Sequence, residues 1–150
     1  MSATSDQIQD DVRNALADDP RIPYVNEIAV DAYGGAVTLR GTVGSFAERR
    51  AAVADARRTR GVIDVYDDLR VRLMDRDKRE DAEIRGAALQ RLMWDPDLVA
   101  DSLDVHVKDG WVTLTGDVDH QYQSDQAFDH VASLYGITGV TNEIQVVEAL

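Results

Sequence analysis

Residues 35–43 read Gly-Ala-Val-Thr-Leu-Arg-Gly-Thr-Val, and residues 110–118 read Gly-Trp-Val-Thr-Leu-Thr-Gly-Asp-Val. Both stretches follow the pattern Gly-x-Val-Thr-Leu-x-Gly-x-Val, and 75 positions separate them (110 minus 35). A second pair, residues 61–71 and 136–146, returns at the same separation with glycine first and apolar residues at matching positions. Because two blocks recur in one order at one spacing, the chain contains one module twice.

The rest of each copy predicts two helices and three strands. Asp19-Pro20 aligns with Asp95-Pro96 at a separation of 76, and it ends the first helix because a residue before proline avoids the α conformation. Apolar residues recur at helical spacing before that point, and apolar and polar residues alternate after it, as in a strand. Residues 45–48 carry a capping-box pattern that opens a second, alanine-rich helix. Each copy therefore has the order αββαβ.

We expect an α+β fold of two such modules, each a three-stranded mixed sheet with two helices on one face. The modules span residues 5–73 and 79–148, and a charged linker occupies 74–78. Side chains of the second hairpin alternate between the helices and the opposite side. The set directed to the helices is Val105, Val107, Val112 and Leu114, and the set directed away is His106, Thr113 and Thr115. Framework glycines mark turns and strand bends in both copies: Gly35, Gly41, Gly61, Gly110, Gly116 and Gly136.

Composition limits the classes of protein to which the chain can belong. It has no cysteine, which excludes disulfide frameworks, thiolate metal sites and a cysteine nucleophile. The net charge of −12 divides into −2 over residues 1–74 (10 basic, 12 acidic) and −10 over residues 75–150 (6 basic, 16 acidic). Such an acidic surface repels phosphates, so we expect no nucleic-acid partner. No apolar run has the length of a membrane span and the first six residues show no signal-peptide pattern, so we expect a cytoplasmic protein that does not span a membrane.

Sequence motifs of enzymes and metal sites are missing. There is no Gly-x-Ser-x-Gly nucleophile turn, no glycine-rich phosphate loop with a lysine, and no His-Glu-x-x-His zinc helix. The three histidines, His106, His120 and His130, lack the i,i+4 spacing of a zinc-binding helix, and we interpret them as surface residues. We therefore expect no enzymatic activity, no cofactor and no bound metal.

The helix after Ser45 is basic although the chain is acidic. Its arginines are Arg49, Arg50, Arg57, Arg58 and Arg60. Arg50 and Arg57 are seven residues apart, and Arg49 and Arg60 are eleven apart, so each pair returns to nearly one helical face. Guanidinium groups on such a face could hold phosphate or lipid headgroups. The equivalent helix of the second copy, 121–135, has no Lys or Arg. The alternative is that the basic helix docks on acidic surface of the other copy or of a neighbouring chain. Docking on a neighbouring copy of the chain would make the protein a homo-oligomer.

Three aromatic residues are candidates for an interface. Trp111 follows the second hairpin turn, where its counterpart is Ala36. Tryptophan is enriched at the centres of interfaces, and Trp94 and Tyr122 are candidates for the same role. Packing between the copies and recognition of an external partner are both open interpretations.

The order of helix, Gly-x-Val-x-Leu-x-Gly-x-Val hairpin, alanine-rich helix and Gly-x-x-x-Val-x-[Asn/Asp]-x-[Leu/Ile]-x-Val strand resembles the BON domain. The resemblance covers residues 5–73 and 79–147 as a tandem pair. It implies a non-catalytic binding or scaffolding unit, associated with phospholipid interaction, envelope integrity, transport-associated assemblies and stress responses. We expect a stress- or envelope-associated protein that binds anionic lipid headgroups or a protein partner. The alternative is a cytoplasmic small-ligand or cation sensor, since one relative of this type looks like a potassium sensor.

Overall fold

The computed structural model describes residues 4–147, and the chain divides into two compact units between Arg72 and Leu73. We call them module 1 and module 2. Module 1 contains α1 (Ser5–Ala17), β1 (Ile28–Tyr33), β2 (Ala36–Val43), α2 (Phe46–Arg58) and β3 (Asp64–Val71). Module 2 contains α3 (Asp81–Trp94), β4 (Leu103–Lys108), β5 (Trp111–Val118), α4 (Gln121–Ala132) and β6 (Gly139–Val146). The predicted fold class, two αββαβ modules, is confirmed.

Each sheet has the middle strand of its module at its centre. The strand order is β1-β2-β3 in module 1 and β4-β5-β6 in module 2. The hairpin strands pair antiparallel, and the crossover through α2 or α4 makes the third strand parallel to the second. Both helices pack on one face, α1 and α3 over the first strand and α2 and α4 over the other two. The sheet is mixed, as predicted.

The core of module 1 lies between its helices and the inner face of its sheet. Ile8, Val12 and Leu16 recur every four residues on α1, and all three are buried. They meet Leu39 of the central strand, which is fully buried. Full burial of one such side chain stabilises the fold by about 1.5–3 kcal/mol, so Leu39→Ala should cost about 2–5 kcal/mol once its cavity is included.

Inward and outward residues alternate on the second hairpin. Val105, Val112 and Leu114 are fully buried against the helices, and Val107 is partly buried. On the other face His106 is exposed and Thr113 is partly exposed.

Both helix starts of module 1 are capped by side chains. At α1, Thr4 Oγ1 accepts from the Gln7 amide and Gln7 Oε1 accepts from the Thr4 amide, each at 3.2 Å. At α2, Ser45 Oγ accepts from the Glu48 amide at 3.1 Å, but the Glu48 carboxylate takes the amide of Gly44 instead of that of Ser45. The capping box predicted at 45–48 is therefore only half formed, because the carboxylate reaches one residue further back.

Gly41 and Gly116 occupy equivalent bends in the two central strands. Their φ angles are 125° and 127°, a region that L side chains rarely adopt. A Cβ at either position would collide with a backbone oxygen, that of Glu27 or Ser102. The close neighbour is thus the chain entering the sheet, and both modules need glycine there.

The segment between the modules is held by module 2. The Tyr135 hydroxyl donates to the Arg76 carbonyl and the Asp77 carboxylate, at 3.1 Å each. Arg79 donates to the Tyr135 carbonyl at 3.2 Å and lies over its ring. The predicted linker 74–78 therefore carries an ordered turn, Asp75–Asp77, tied to the loop after α4.

Candidate binding surface on α2

Arg49 faces the sheet rather than solvent. Its Nε lies 2.8 Å from Asp67 Oδ2 on β3, and both side chains are about three-quarters buried. The other Asp67 oxygen accepts from the Leu69 amide at 3.0 Å. Arg49 therefore faces a different way from the other arginines of α2, and its contact with Asp67 joins α2 to β3.

Module 2 repeats this arrangement with neutral groups. Ser124 and Asn142 stand 75 residues beyond Arg49 and Asp67. Asn142 Nδ2 donates to Ser124 Oγ at 2.9 Å, and Asn142 Oδ1 accepts from the Ile144 amide at 3.1 Å. The same helix-to-strand contact is therefore built from different chemistry in each copy.

Arg58 is also engaged, although it remains exposed. Its Nη2 lies 2.7 Å from Asp55 Oδ1, one turn back on the same helix. A second cation, Arg21, comes from the loop after α1 and lies 3.6 Å from the same oxygen.

Arg50, Arg57 and Arg60, the other members of the predicted set, have exposed side chains. Arg50 and Arg57 are exposed on α2 and seven residues apart, so they lie on nearly the same side of the helix. Arg60 is exposed just beyond the end of α2. The predicted pairing of Arg49 with Arg60 on one helical face does not form, because Arg49 turns to β3 and Arg60 lies past the helix end. We call Arg50, Arg57 and Arg60 the α2 arginine surface.

Each module has one polar pair that joins the loop after its first helix to its second helix. The sequence pattern predicts neither pair. In module 1, Asp19 and Asp55 are nearly buried and meet Arg21. Arg21 beside Asp19 holds the pKa of that carboxyl well below its ordinary value, whereas burial raises the pKa of Asp55. The sequence signal that could have indicated this pair is Asp19, a polar residue before a proline at a helix end that aligns with Asp95 in the second copy.

In module 2 the equivalent pair is an aspartate and a histidine. His130 Nε2 lies 2.7 Å from Asp95 Oδ2, and the Asp95 side chain is 8% exposed. The hydrogen bond to His130 lowers the pKa of Asp95, with help from the Asp97 amide. The interpretation of His130 as a simple surface residue is therefore wrong, since the ring is only partly exposed and bonded.

Trp111 lies on the outer face of the second sheet. Its indole N–H donates to Thr141 Oγ1 at 2.8 Å, and its ring covers Gly139 so closely that a Cβ there would collide with it. Trp94 and Tyr122 are 71% and 52% exposed on α3 and α4, and the Tyr122 ring stacks on that of His120. The three aromatic candidates therefore occupy separate elements, and only Trp111 is fixed by a hydrogen bond.

Within residues 4–147, no helix has the length and apolarity that crossing a membrane requires. Over the same residues, His, Asp and Glu side chains form no group of three that could hold a metal ion. The structure thus offers no side-chain metal centre in its described part.

Comparisons with known proteins concern both modules. Residues 4–72 and 80–148 each match the BON domain family. The chain is 32% identical over 143 residues to osmotically-inducible protein Y of Escherichia coli (strain K12), covering 89% of this chain and 68% of that protein.

Solved structures with partial likeness come from CdsD, a structural protein of the type III secretion system of Chlamydia trachomatis. One has a TM-score of 0.41 and 14% identity, covering 96% of this chain and 64% of that one. A structure of its C-terminal domain has a TM-score of 0.39 and 14% identity, covering 95% of this chain and 66% of that one. This chain spans less than two thirds of the length of either.

Proposed function

Because the chain belongs to the BON domain family and carries the domain twice, we propose that it is a non-catalytic binding protein of the osmotic stress response. Its relative in Escherichia coli is named for osmotic induction, which supports the physiological part of the proposal. We further propose that anionic lipid headgroups bind to the α2 arginine surface. The observation that carries this is the exposure of Arg57 and Arg60 in an acidic chain.

The chemistry of these side chains fits phosphate. A guanidinium presents planar paired donors to phosphate oxygens and sheds water more readily than an ammonium. Arg57 and Arg60 stand at the exposed end of α2, where basic side chains also suit the negative end of the helix dipole. Several such groups at one end of a helix form a local positive surface.

The net charge of −12 does not cancel this local surface. At physiological ionic strength, exposed charges separated by more than about 8 Å are largely screened from one another. A headgroup at α2 therefore interacts mainly with the nearby arginines. The matching helix α4 has no Lys or Arg between Gln121 and Ala132, so the proposal places lipid binding on module 1.

The experiment is sedimentation of the full chain with vesicles rich in anionic lipid, at low and at physiological salt. We expect binding that weakens with salt and is absent from purely zwitterionic vesicles. Since each basic residue near such a surface contributes about 1 kcal/mol, R57A/R60A should weaken binding roughly 30-fold. The double variant R13A/R40A removes two exposed arginines elsewhere in module 1 and is the matched control.

Equal losses in the two double variants would show a diffuse charge effect and no site on α2. Failure of anionic vesicles to sediment the wild-type chain at low salt would sink the lipid proposal. A protein with an acidic surface would then be the remaining kind of partner for these arginines.

A further inference from the structure

Two nearly buried carboxyl groups meet between the end of α1 and the middle of α2. Asp19 is 9% exposed and Asp55 is 8% exposed. One nitrogen of Arg21, Nη2, lies 2.7 Å from Asp19 Oδ2 and 3.6 Å from Asp55 Oδ1. The same nitrogen therefore brings the two carboxyl groups together, and two ionised carboxylates could not hydrogen-bond to each other there.

One oxygen of this pair has no donor. Arg21 donates to both oxygens of Asp19, and Arg58 donates to Asp55 Oδ1 at 2.7 Å. Asp55 Oδ2 is buried and accepts no hydrogen bond from any residue in the described part of the chain, 4–147. A buried acceptor without a partner costs about 1–3 kcal/mol, and more when it is charged. A proton on Oδ2 removes that cost, because the oxygen then becomes a donor.

Module 2 shows which kind of group this position requires. His130 stands 75 residues after Asp55, and Asp95 stands 76 residues after Asp19. His130 Nε2 lies 2.7 Å from Asp95 Oδ2. An imidazole has a ring N–H to donate, so the second helix of module 2 can present a proton donor to the carboxylate of the first helical segment. In module 1 the same role falls to a carboxyl group, which fills it only when protonated.

We propose that Asp19 and Asp55 hold one proton between them, carried on Asp55 Oδ2 and donated to Asp19, so that module 1 contains a proton-binding site. The charged groups facing Asp55 are Asp19 and Arg21 from the loop after α1 and Arg58 from α2 itself.

The assignment of the proton follows from the surroundings of each group. Burial, followed by the neighbouring Asp19, raises the pKa of Asp55, while Arg58 opposes the rise. Arg21 lowers the pKa of Asp19. Both Asp19 oxygens accept from Arg21, whereas Asp55 Oδ2 has no donor among residues 4–147, so Asp55 is the proton carrier.

This site makes the stability of module 1 depend on pH in a definite direction. The pKa of Asp55 is raised above its ordinary value of 3.8 in the folded state. Its contribution is therefore complete below 3.8 and is lost as the pH rises through the folded pKa. Loss of the proton leaves two carboxylates side by side, and module 1 becomes easier to open.

The first measurement is a carboxyl ¹³C NMR titration of the full chain. We expect Asp55 to titrate above the ordinary aspartate pKa of 3.8, and Asp19 below it. Titration of Asp55 at or below that ordinary value would overturn the proposal, whatever any variant does.

The second measurement is amide hydrogen exchange at Leu39 in module 1 and at its counterpart Leu114 in module 2. After correction for intrinsic exchange, protection at Leu39 should fall on the alkaline side of the Asp55 titration. D55N keeps a donor at this position and cannot ionise, so its Leu39 protection should stay level over that range. D10N changes the charge equally at an exposed site and should retain the wild-type profile. If Leu39 protection in D55N falls with rising pH as it does in the wild type, the proposal is contradicted.

Discussion

Arg49 Nε on α2 lies 2.8 Å from Asp67 Oδ2 on β3, at the free edge of the first sheet. This ion pair holds the Asp67 carboxylate as a cap on a backbone amide of that edge. The Arg72 amide donates to Val43 of β2, and amides of a strand alternate in direction, so the Leu69 amide faces the open edge. Asp67 Oδ1 accepts from that amide at 3.0 Å. An edge amide capped in this way is closed to pairing with another strand.

Loss of this cap should destabilise module 1. D67A leaves the Leu69 amide and the Arg49 guanidinium without their acceptor, and we expect a loss of about 1–3 kcal/mol in the free energy of unfolding. D67N retains an acceptor oxygen and loses only the partly exposed ion pair, so its loss should be smaller, about 0.5–1 kcal/mol. Urea unfolding followed by circular dichroism measures both. Asp68 is exposed on the same strand, and D68A should stay within about 0.5 kcal/mol of wild type. A D67A variant as stable as D68A would contradict the role of the cap.

The chemistry of module 2 should work in module 1. R49S leaves the Asp67 carboxylate without its guanidinium, whereas R49S/D67N reproduces the neutral Ser124–Asn142 pair. We expect the second change to recover part of the stability lost in the first, with a coupling free energy of about 0.5–3 kcal/mol. Denaturant unfolding of the two single variants and the double variant gives this coupling. Additive losses would mean that the two positions act independently.

The close packing of Trp111 on Gly139 should make Gly139 intolerant of a side chain. Gly139→Ala places a methyl group against the indole, and we expect a loss of about 1–3 kcal/mol from overpacking. Gly86 lies on α3 with open space around it, so Gly86→Ala should stabilise the chain by about 0.5–1 kcal/mol through helix propensity. Unfolding curves from far-ultraviolet circular dichroism compare the two. In a W111A background the cost of G139A should shrink, and an undiminished cost would place the collision elsewhere.

The Asp95–His130 pair should make module 2 sensitive to acid. The pKa of Asp95 lies below its ordinary 3.8 in the folded state, chiefly because of the hydrogen bond to His130. Its contribution is therefore present above 3.8 and is lost as the pH falls below that value. Exchange protection of the Leu114 amide should drop over this range in the wild type and depend less on pH in D95N. An equally steep drop in D95N would assign the acid sensitivity to other carboxyl groups.

Much of the fold could be predicted from local pattern. Gly-x-Val-Thr-Leu-x-Gly recurs because both copies need the same buried residues and the same bend, so Leu39 and Leu114 are equivalent in the core. Local pattern specifies helix starts less completely, since Glu48 reaches Gly44 rather than Ser45. A carboxylate has several amides within reach at a helix start, and only packing selects one.

The candidate site was harder to predict. Helical spacing correctly indicates that Arg50 and Arg57 share a side of α2. It also pairs Arg49 with Arg60, although Asp67 draws Arg49 to the sheet and Arg60 lies beyond the end of the helix. The distance between positions 49 and 67 along the chain carries no information about that contact until the crossover brings α2 over β3. Arg50 and Arg57 are therefore the pair of arginines whose relative position spacing alone describes correctly.

The sequence by itself determined that one αββαβ module is built twice, because hydrophobic periodicity and glycine positions are local properties that each segment expresses where it stands. Only the tertiary structure decided which polar groups face each other: Asp19 with Asp55, Asp95 with His130 and Arg49 with Asp67. The physical reason is that burial and contact between distant segments, rather than residue type, set the charge state and the hydrogen-bond partner of a side chain.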